Sequence, residues 1–287
     1  MDDQRTAASA ADGVRFRILG SLATVAGDGT EHPVVGPRRQ TLLAALLVHR
    51  GEVVSVDRLV DLLWGSDATP GSVTTLRTHV ANVRAAVEGT GTGARVVNCS
   101  GGYQLKVDAA RIDAVVFERL TESARAALGR GALDEADRLF REALGLWRGA
   151  ALQDVATPLF GLSTIAHLEE LKTTASATWM QLRLRRGEHD SLVPALTRLV
   201  EEHPFHEHFT GLLMRALYRA GRQTEALAAF TRASGRLADE LGLDPGPELR
   251  GLELAILRQD PALVAGRVGE RPSAGTPAAT APRLATV

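Results

Sequence analysis

At 287 residues, with a formal net charge of −1 and a single cysteine, Cys99, the chain has the length for two domains with real cores. One cysteine excludes an intramolecular disulfide framework and fits a reducing cytoplasm. The opening MDDQRTAASAADG is acidic and lacks a long apolar run, so it reads as neither signal peptide nor membrane anchor; residues 1–13 are expected to be disordered.

Charge divides unevenly along the chain. Residues 14–108 hold ten Lys or Arg against eight Asp or Glu, whereas residues 112–263 hold eighteen against twenty-two. That split fits a first domain that touches phosphate and a second that is kept off it. A net of +2 is small, so binding would rest on the placement of individual arginines and on dimeric or tandem occupancy.

VRFRILG (14–20) alternates apolar Val14, Phe16 and Ile18 with Arg15 and Arg17, the pattern of a half-buried strand. LATVAGDGTEHPVV (22–35) reads as two short strands around a turn at Gly27-Asp28-Gly29. GPRRQTLLAALLVHRG (36–51) starts a helix with Pro37 and ends it at Gly51. A second, short helix, SVDRLVDLLWG, is capped by Ser55 and stopped by Gly65, and the compact loop SDATPG (66–71) comes next. The spacing then predicts a longer helix from Ser72 to about Glu88, in which Val73, Leu76, Val80, Val83 and Val87 form one core stripe. Two strand-like runs, RVV (95–97) and YQLKV (103–107), flank the tip CSGG. Small antiparallel sheet, three helices and terminal hairpin together describe an OmpR-type winged helix-turn-helix.

The other faces of the long helix carry Thr74, Thr75, Arg77, Thr78, His79, Asn82 and Arg84. Hydroxyls and an amide suit base edges, and cations suit phosphates. Taken alone, the helix fits an ordinary solvated amphipathic helix equally well; the hairpin after it and the helix and loop before it favour a DNA-reading unit.

Beyond residue 112 the pattern is all helical and repetitive. Gly131, Gly187 and Gly221 open similar blocks, with Ala136, Leu192 and Ala226 five residues on and Phe140, Leu196 and Phe230 nine residues on. The last two glycines are 34 residues apart, the tetratricopeptide (TPR) period, and an insertion around 156–166 interrupts the array. Such hairpins stack to bury faces that they cannot bury alone, and stacked pairs serve partner binding or dimerisation. Past Pro261 small residues, Pro and Gly dominate, so 264–287 is expected to be a disordered tail. No GxxxxGK[ST] phosphate loop occurs.

Several long blocks resemble the Streptomyces antibiotic regulatory protein family. They are VRFRILGSL, GPRRQTLLAALLVHRGEVVSVDRLVDLLWG, TLRTHVANVRAAV and GGYQLKV in the first half, and ALGLWRGAALQDV, LEELKTTA, EEHPFHEHFTGLLMRALYRAGRQTEALAAFTRA and LADELGLDPGPELRGLELAILRQDP in the second. The resemblance spans roughly 14–263 and implies a winged-helix DNA-binding domain (14–108) followed by a bacterial transcriptional activator domain of TPR-like helices (112–263). It implies a cytoplasmic, nucleoid-associated activator of a secondary-metabolite (antibiotic) gene cluster. The partners it implies are double-stranded promoter DNA, bound as a homodimer or tandem protomers on direct repeats near the −35 element, and RNA polymerase holoenzyme through sigma region 4 and the beta flap. By position it makes Arg84 a backbone contact, His79 a phosphate contact and Thr78 a partner of a thymine methyl. It places Ser66, Asp67, Ala68 and Thr69 in the loop that faces polymerase. Asn82 departs from the family's Arg and would favour adenine over guanine. Cys99 stands where relatives carry the wing arginine, so Arg95 or Lys106 would have to replace that contact.

Enzyme readings find little support. EEHPFHEHF (201–209) gathers three histidines, but Pro204 breaks the helix there, which favours a solvated turn over a metal cluster. Cys99 has no neighbouring base, and no catalytic constellation, cofactor motif or metal site stands out. The reading is a sequence-specific transcriptional activator and not an enzyme. The alternative is a TPR-type interaction or ligand-sensing regulator in which DNA binding is secondary or repressive.

Overall fold

Val14, Phe16 and Ile18 are all buried, as their alternation requires, although ladder pairing is confined to a two-residue strand, β1 (Phe16–Arg17). In the computed structural model, which describes residues 13–49, 51–155 and 162–263, β1 pairs antiparallel with β2 (Ala23–Val25), and β2 with β3 (Glu31–Pro33). The expected disorder of 1–12 and 264–287, and the insertion at 156–161, fall outside these residues.

Helix α1 (Pro37–Val48) begins at its proline and buries an unbroken run from Thr41 to Leu47. After it come β4 (Val54–Ser55) and α2 (Val56–Trp64), whose Ser55 cap accepts a hydrogen bond from the Arg58 amide at 3.2 Å. A single 3-10 turn at Gly65–Asp67 leads to α3 (Ser72–Glu88). The hairpin β5 (Arg95–Cys99) and β6 (Gly102–Lys106) closes the unit in the order β4-β6-β5. The short β4 was not expected; two residues between helices carry no alternation to read. It holds the hairpin down through Val54 opposite Tyr103 and Ser55 opposite Gly102. A Cβ at Gly102 would collide with the Val54 carbonyl oxygen, so only glycine permits this approach.

One member of the expected α3 stripe is corrected. Val73 is 37% exposed, and Ser72 is buried in its place with Leu76, Val80, Val83 and Val87. The Ser72 hydroxyl oxygen accepts from the Thr69 amide at 2.9 Å, which draws that side of the first turn inward.

The remaining elements are helices: α4 (Asp113–Gly129), α5 (Leu133–Leu144), α6 (Leu162–Arg185), α7 (His189–Glu202), α8 (Glu207–Arg219), α9 (Gln223–Leu241) and α10 (Pro247–Leu257). Gly131, Gly187 and Gly221 occupy the same place in three helix pairs, with φ of 76°, 86° and 76°. After each, the next amide reaches back five residues: Ala132 to Ala127, Glu188 to Arg183, Arg222 to Leu217. This is the left-handed glycine cap that ends a helix and turns the chain. The repeated apolar positions Ala136, Phe140, Leu192, Leu196, Ala226 and Phe230 are all buried.

The chain forms two compact units, Met1–Trp179 and Met180–Val287. The first runs past residue 112 because a polar seam binds the N-terminal sheet to the segment 112–154. The buried Asp113 carboxylate accepts from the amides of Ile18 (2.8 Å), Leu19 (3.1 Å) and Ala114 (2.8 Å). Asp154 accepts from the Leu22 amide at 2.8 Å, while the Arg148 and Leu152 amides donate to the carbonyls of Leu19 and Ile18, each at 2.9 Å. A parallel bridge joins Phe16 to Ile112.

Candidate nucleic-acid interface

Helix α3 splits its residues by angle. With its stripe turned into the core, Thr74, Thr75, Arg77, Thr78 and Asn82 are exposed along the opposite side. Asn82 spends one amide hydrogen on the Thr78 carbonyl at 3.0 Å, and the Thr75 hydroxyl donates to the Gly71 carbonyl at 3.3 Å. Both bonds are local, so these groups retain polar atoms for a partner.

Two residues of the expected set stand differently. His79 lies one position before buried Val80, about 100° round the helix, and its ring packs 6.0 Å from that of Trp64. Both ring nitrogens are buried without a hydrogen-bond partner, and desolvation, helped by Arg38 and Arg39, holds the pKa below the usual histidine value. In this conformation His79 offers no nitrogen to a phosphate. Arg84 donates through Nε to the Val96 carbonyl at 3.0 Å and through Nη2 to Asn98 Oδ1 at 3.2 Å. Its first task is to tie α3 to the hairpin; only its remaining N–H groups are free.

The wing is likewise ordered by register. Cys99 lies opposite Gly102 at the tip, whereas Arg95 lies opposite Lys106 at the base. Four residues of strand separate the two ends, about 13 Å. Arg95 and Lys106 are both exposed, at the opposite end of the hairpin from Cys99. Cys99 itself is half-buried.

Ser66, Asp67, Ala68 and Thr69 are all exposed, in a connection shaped by the Ala68 amide donating to Gly65 and by the Thr69–Ser72 cap. Trp64, at its start, is half-buried, with the Arg38 guanidinium 5.3 Å over its ring. Sequence reasoning missed Arg39. It has no hydrogen-bond or ion-pair partner among the described residues, and it lines a cavity of about 370 Å³ with His32, Asn82 and Ala86. The signal was present in the Arg38-Arg39 pair opening α1, where two cations stand against the positive end of the helix dipole.

Among the described residues no group of three or more His, Cys, Asp or Glu is placed to hold a metal ion, and no helix is long and apolar enough to cross a membrane. His203–His206 form the turn between α7 and α8, and His208 lies in the first turn of α8.

The chain combines a winged helix with helix pairs turned by left-handed glycines, and the class this marks, bacterial transcriptional regulators, is the one its relatives belong to. Residues 31–105 match the model of the transcriptional regulatory protein C-terminal family, and residues 112–257 that of the bacterial transcriptional activator domain. The regulatory protein DnrI of Streptomyces peucetius is 37% identical over 257 residues, covering 87% of this chain and 94% of that protein. The transcriptional regulator RedD of Streptomyces coelicolor is 37% identical, covering 87% and 72%. The regulatory protein AfsR of Streptomyces griseus is also 37% identical, but the chain spans only 26% of it. A solved structure of Mycobacterium tuberculosis EmbR, in complex with a low affinity phosphopeptide, superposes with a TM-score of 0.79 at 30% identity, covering 88% of this chain and 68% of that one. The chain belongs to the Streptomyces antibiotic regulatory protein family of transcriptional regulators, and it is not an enzyme.

Proposed function

We propose that the protein activates a secondary-metabolite gene cluster by binding promoter DNA through α3 and recruiting RNA polymerase. The observation that carries this reading is the exposed row Thr74, Arg77, Thr78 and Asn82 on α3, beside a hairpin tied to the helix by Arg84. Thr78 and Asn82 are assigned to base edges, Asn82 favouring adenine; Thr74, Thr75, Arg77, Arg39, Arg95 and Lys106 are assigned to the phosphates around them. Tandem protomers on direct repeats about one helical turn apart supply the occupancy that a weakly charged domain needs. The exposed Ser66–Thr69 connection is assigned to polymerase, touching sigma region 4 and the beta flap.

Footprinting and in vitro transcription on the promoters of the adjacent cluster test both halves. Protection of direct repeats that weakens with salt supports DNA reading; its absence overturns it. Alanine at Ser66, Asp67 and Thr69 together should leave the footprint intact and remove activation. Unchanged transcription would return that loop to a passive turn.

A further inference from the structure

In the second unit, α8 and the start of α10 enclose a half-open cavity of about 340 Å³, within the size range of small-molecule sites. Gly211, Arg215, Leu249 and Leu252 make its floor, and the exposed His208 and Glu248 stand at its rim. Glu207 belongs to the wall: its carboxylate accepts from the Gly246 amide at 2.7 Å and fixes the turn into α10.

Arg215 is the unusual member. It is half-buried, and it has no hydrogen-bond or ion-pair partner among the described residues. One turn later Arg219 is engaged, donating to the carbonyls of Leu263 at 2.7 Å and Leu184 at 3.3 Å. A guanidinium taken partly out of water with its fork unspent is costly unless something else accepts from it. Burial lowers the Arg215 pKa from its ordinary value and also lowers that of His208.

Gly211 is an independent sign. It is buried inside α8, where glycine is less stable than alanine. A Cβ there would come within 3.3 Å of Arg215 Nη1 and 3.8 Å of both Leu249 and Leu252. The glycine therefore keeps the floor open and the guanidinium in place. Glu248 is near enough to act on both Arg215 and His208, but it forms no ion pair with Arg215.

We propose that this cavity binds a small amphipathic organic acid carrying a hydrogen-bond donor, of the amino- or hydroxy-acid class. Its carboxylate takes the Arg215 fork, its donor faces Glu248, and its apolar body lies on Gly211, Leu249 and Leu252. The site is an effector site of the helical region, separate from α3.

The full chain is titrated by calorimetry and saturation-transfer NMR with L-leucine, with its hydroxy analogue leucic acid, and with isopentylamine, which lacks the carboxylate. Both acids are expected to bind at millimolar concentration or tighter, and the amine is not. Arg215→Gln should weaken both acids by about tenfold or more, and Gly211→Val should fill the floor and abolish binding. Glu248→Gln, at the exposed rim and harmless to the core, should weaken leucine more than leucic acid. Circular dichroism and thermal melts confirm that each variant is folded. The proposal is overturned if neither acid binds the unaltered chain, if the amine binds as well as the acids, or if Arg215→Gln and Glu248→Gln both leave binding unchanged.

Discussion

The outer face of α3 and the seam at Asp113 spend their polar groups in opposite ways. On α3, Arg77 and Thr78 project into solvent and Asn82 holds only its own helix. At the seam, one buried carboxylate saturates three amides, and the backbone of Arg148 and Leu152 takes up two carbonyls beside them. The difference separates readiness for a partner from architecture: unspent groups on an exposed ridge are open to a partner, while spent groups in a buried joint fix where the ridge stands. Ile18, Leu19 and Leu22 of the N-terminal sheet thus find hydrogen-bond partners at 113–154.

The sharpest way to break the contrast is Asp113→Ala. It strands three amides in a dry site and is expected to cost about 3 kcal/mol or more, read as a lower urea midpoint. A fragment ending at residue 110 should show the same loss, whereas Asn82→Ala should melt like the unaltered chain.

The seam also has a pH signature. Burial pushes the Asp113 carboxyl up to about 6 from 3.8, against the pull of the Ile18 and Leu19 amides and of Arg148. A folded pKa above the unfolded one contributes stability that is full below the unfolded pKa and lost as pH rises through the folded pKa. Stability should therefore decline between 3.8 and about 6, by at most about 3 kcal/mol. Asp113→Asn should flatten that part of a stability–pH curve; an unchanged slope would assign it to other groups.

Gly102→Ala acts between the two regions, at the point where the wing rests on β4. Its Cβ collides with the Val54 carbonyl oxygen, so a loss of about 1–3 kcal/mol is expected, together with weaker promoter binding. Hydrogen exchange at Tyr103 and Val56 would show whether the wing has lifted.

On α3 itself the effects are smaller and fall on binding. Asn82→Ala should cost about 1–3 kcal/mol on the cognate site and relax discrimination at one base pair. Arg84→Ala should weaken all sequences alike and also cost about 1 kcal/mol of folding, because Val96 and Asn98 lose their donor. Equal losses on cognate and random DNA for Asn82→Ala would remove it from base reading.

Local pattern was legible and long-range pairing was not. The bounds of α3, its Ser55-capped neighbour and the three turning glycines come from periodicity and from backbone rules that act within a few residues. Ser72 is buried in place of Val73 and its hydroxyl accepts from the Thr69 amide, a side chain–backbone bond that hydropathy spacing does not encode. The seam joins residues 95 apart in sequence, and no spacing announces which carboxylate will meet which amide. For the site, residue types identified the exposed row, but His79 shows that helical phase decides between a groove and a neighbouring tryptophan. Arg95 and Lys106 show that strand register decides between the tip and base of a wing.

That register has an electrical consequence. Two cations held face to face across a strand pair repel each other, which weakens the ladder by a few tenths of a kcal/mol. Added salt screens this repulsion, and a phosphate laid across the pair would cancel it. The free hairpin should thus grow firmer as ionic strength rises, while its hold on DNA grows weaker over the same range. The base of the wing is a loaded contact whose load an anion removes.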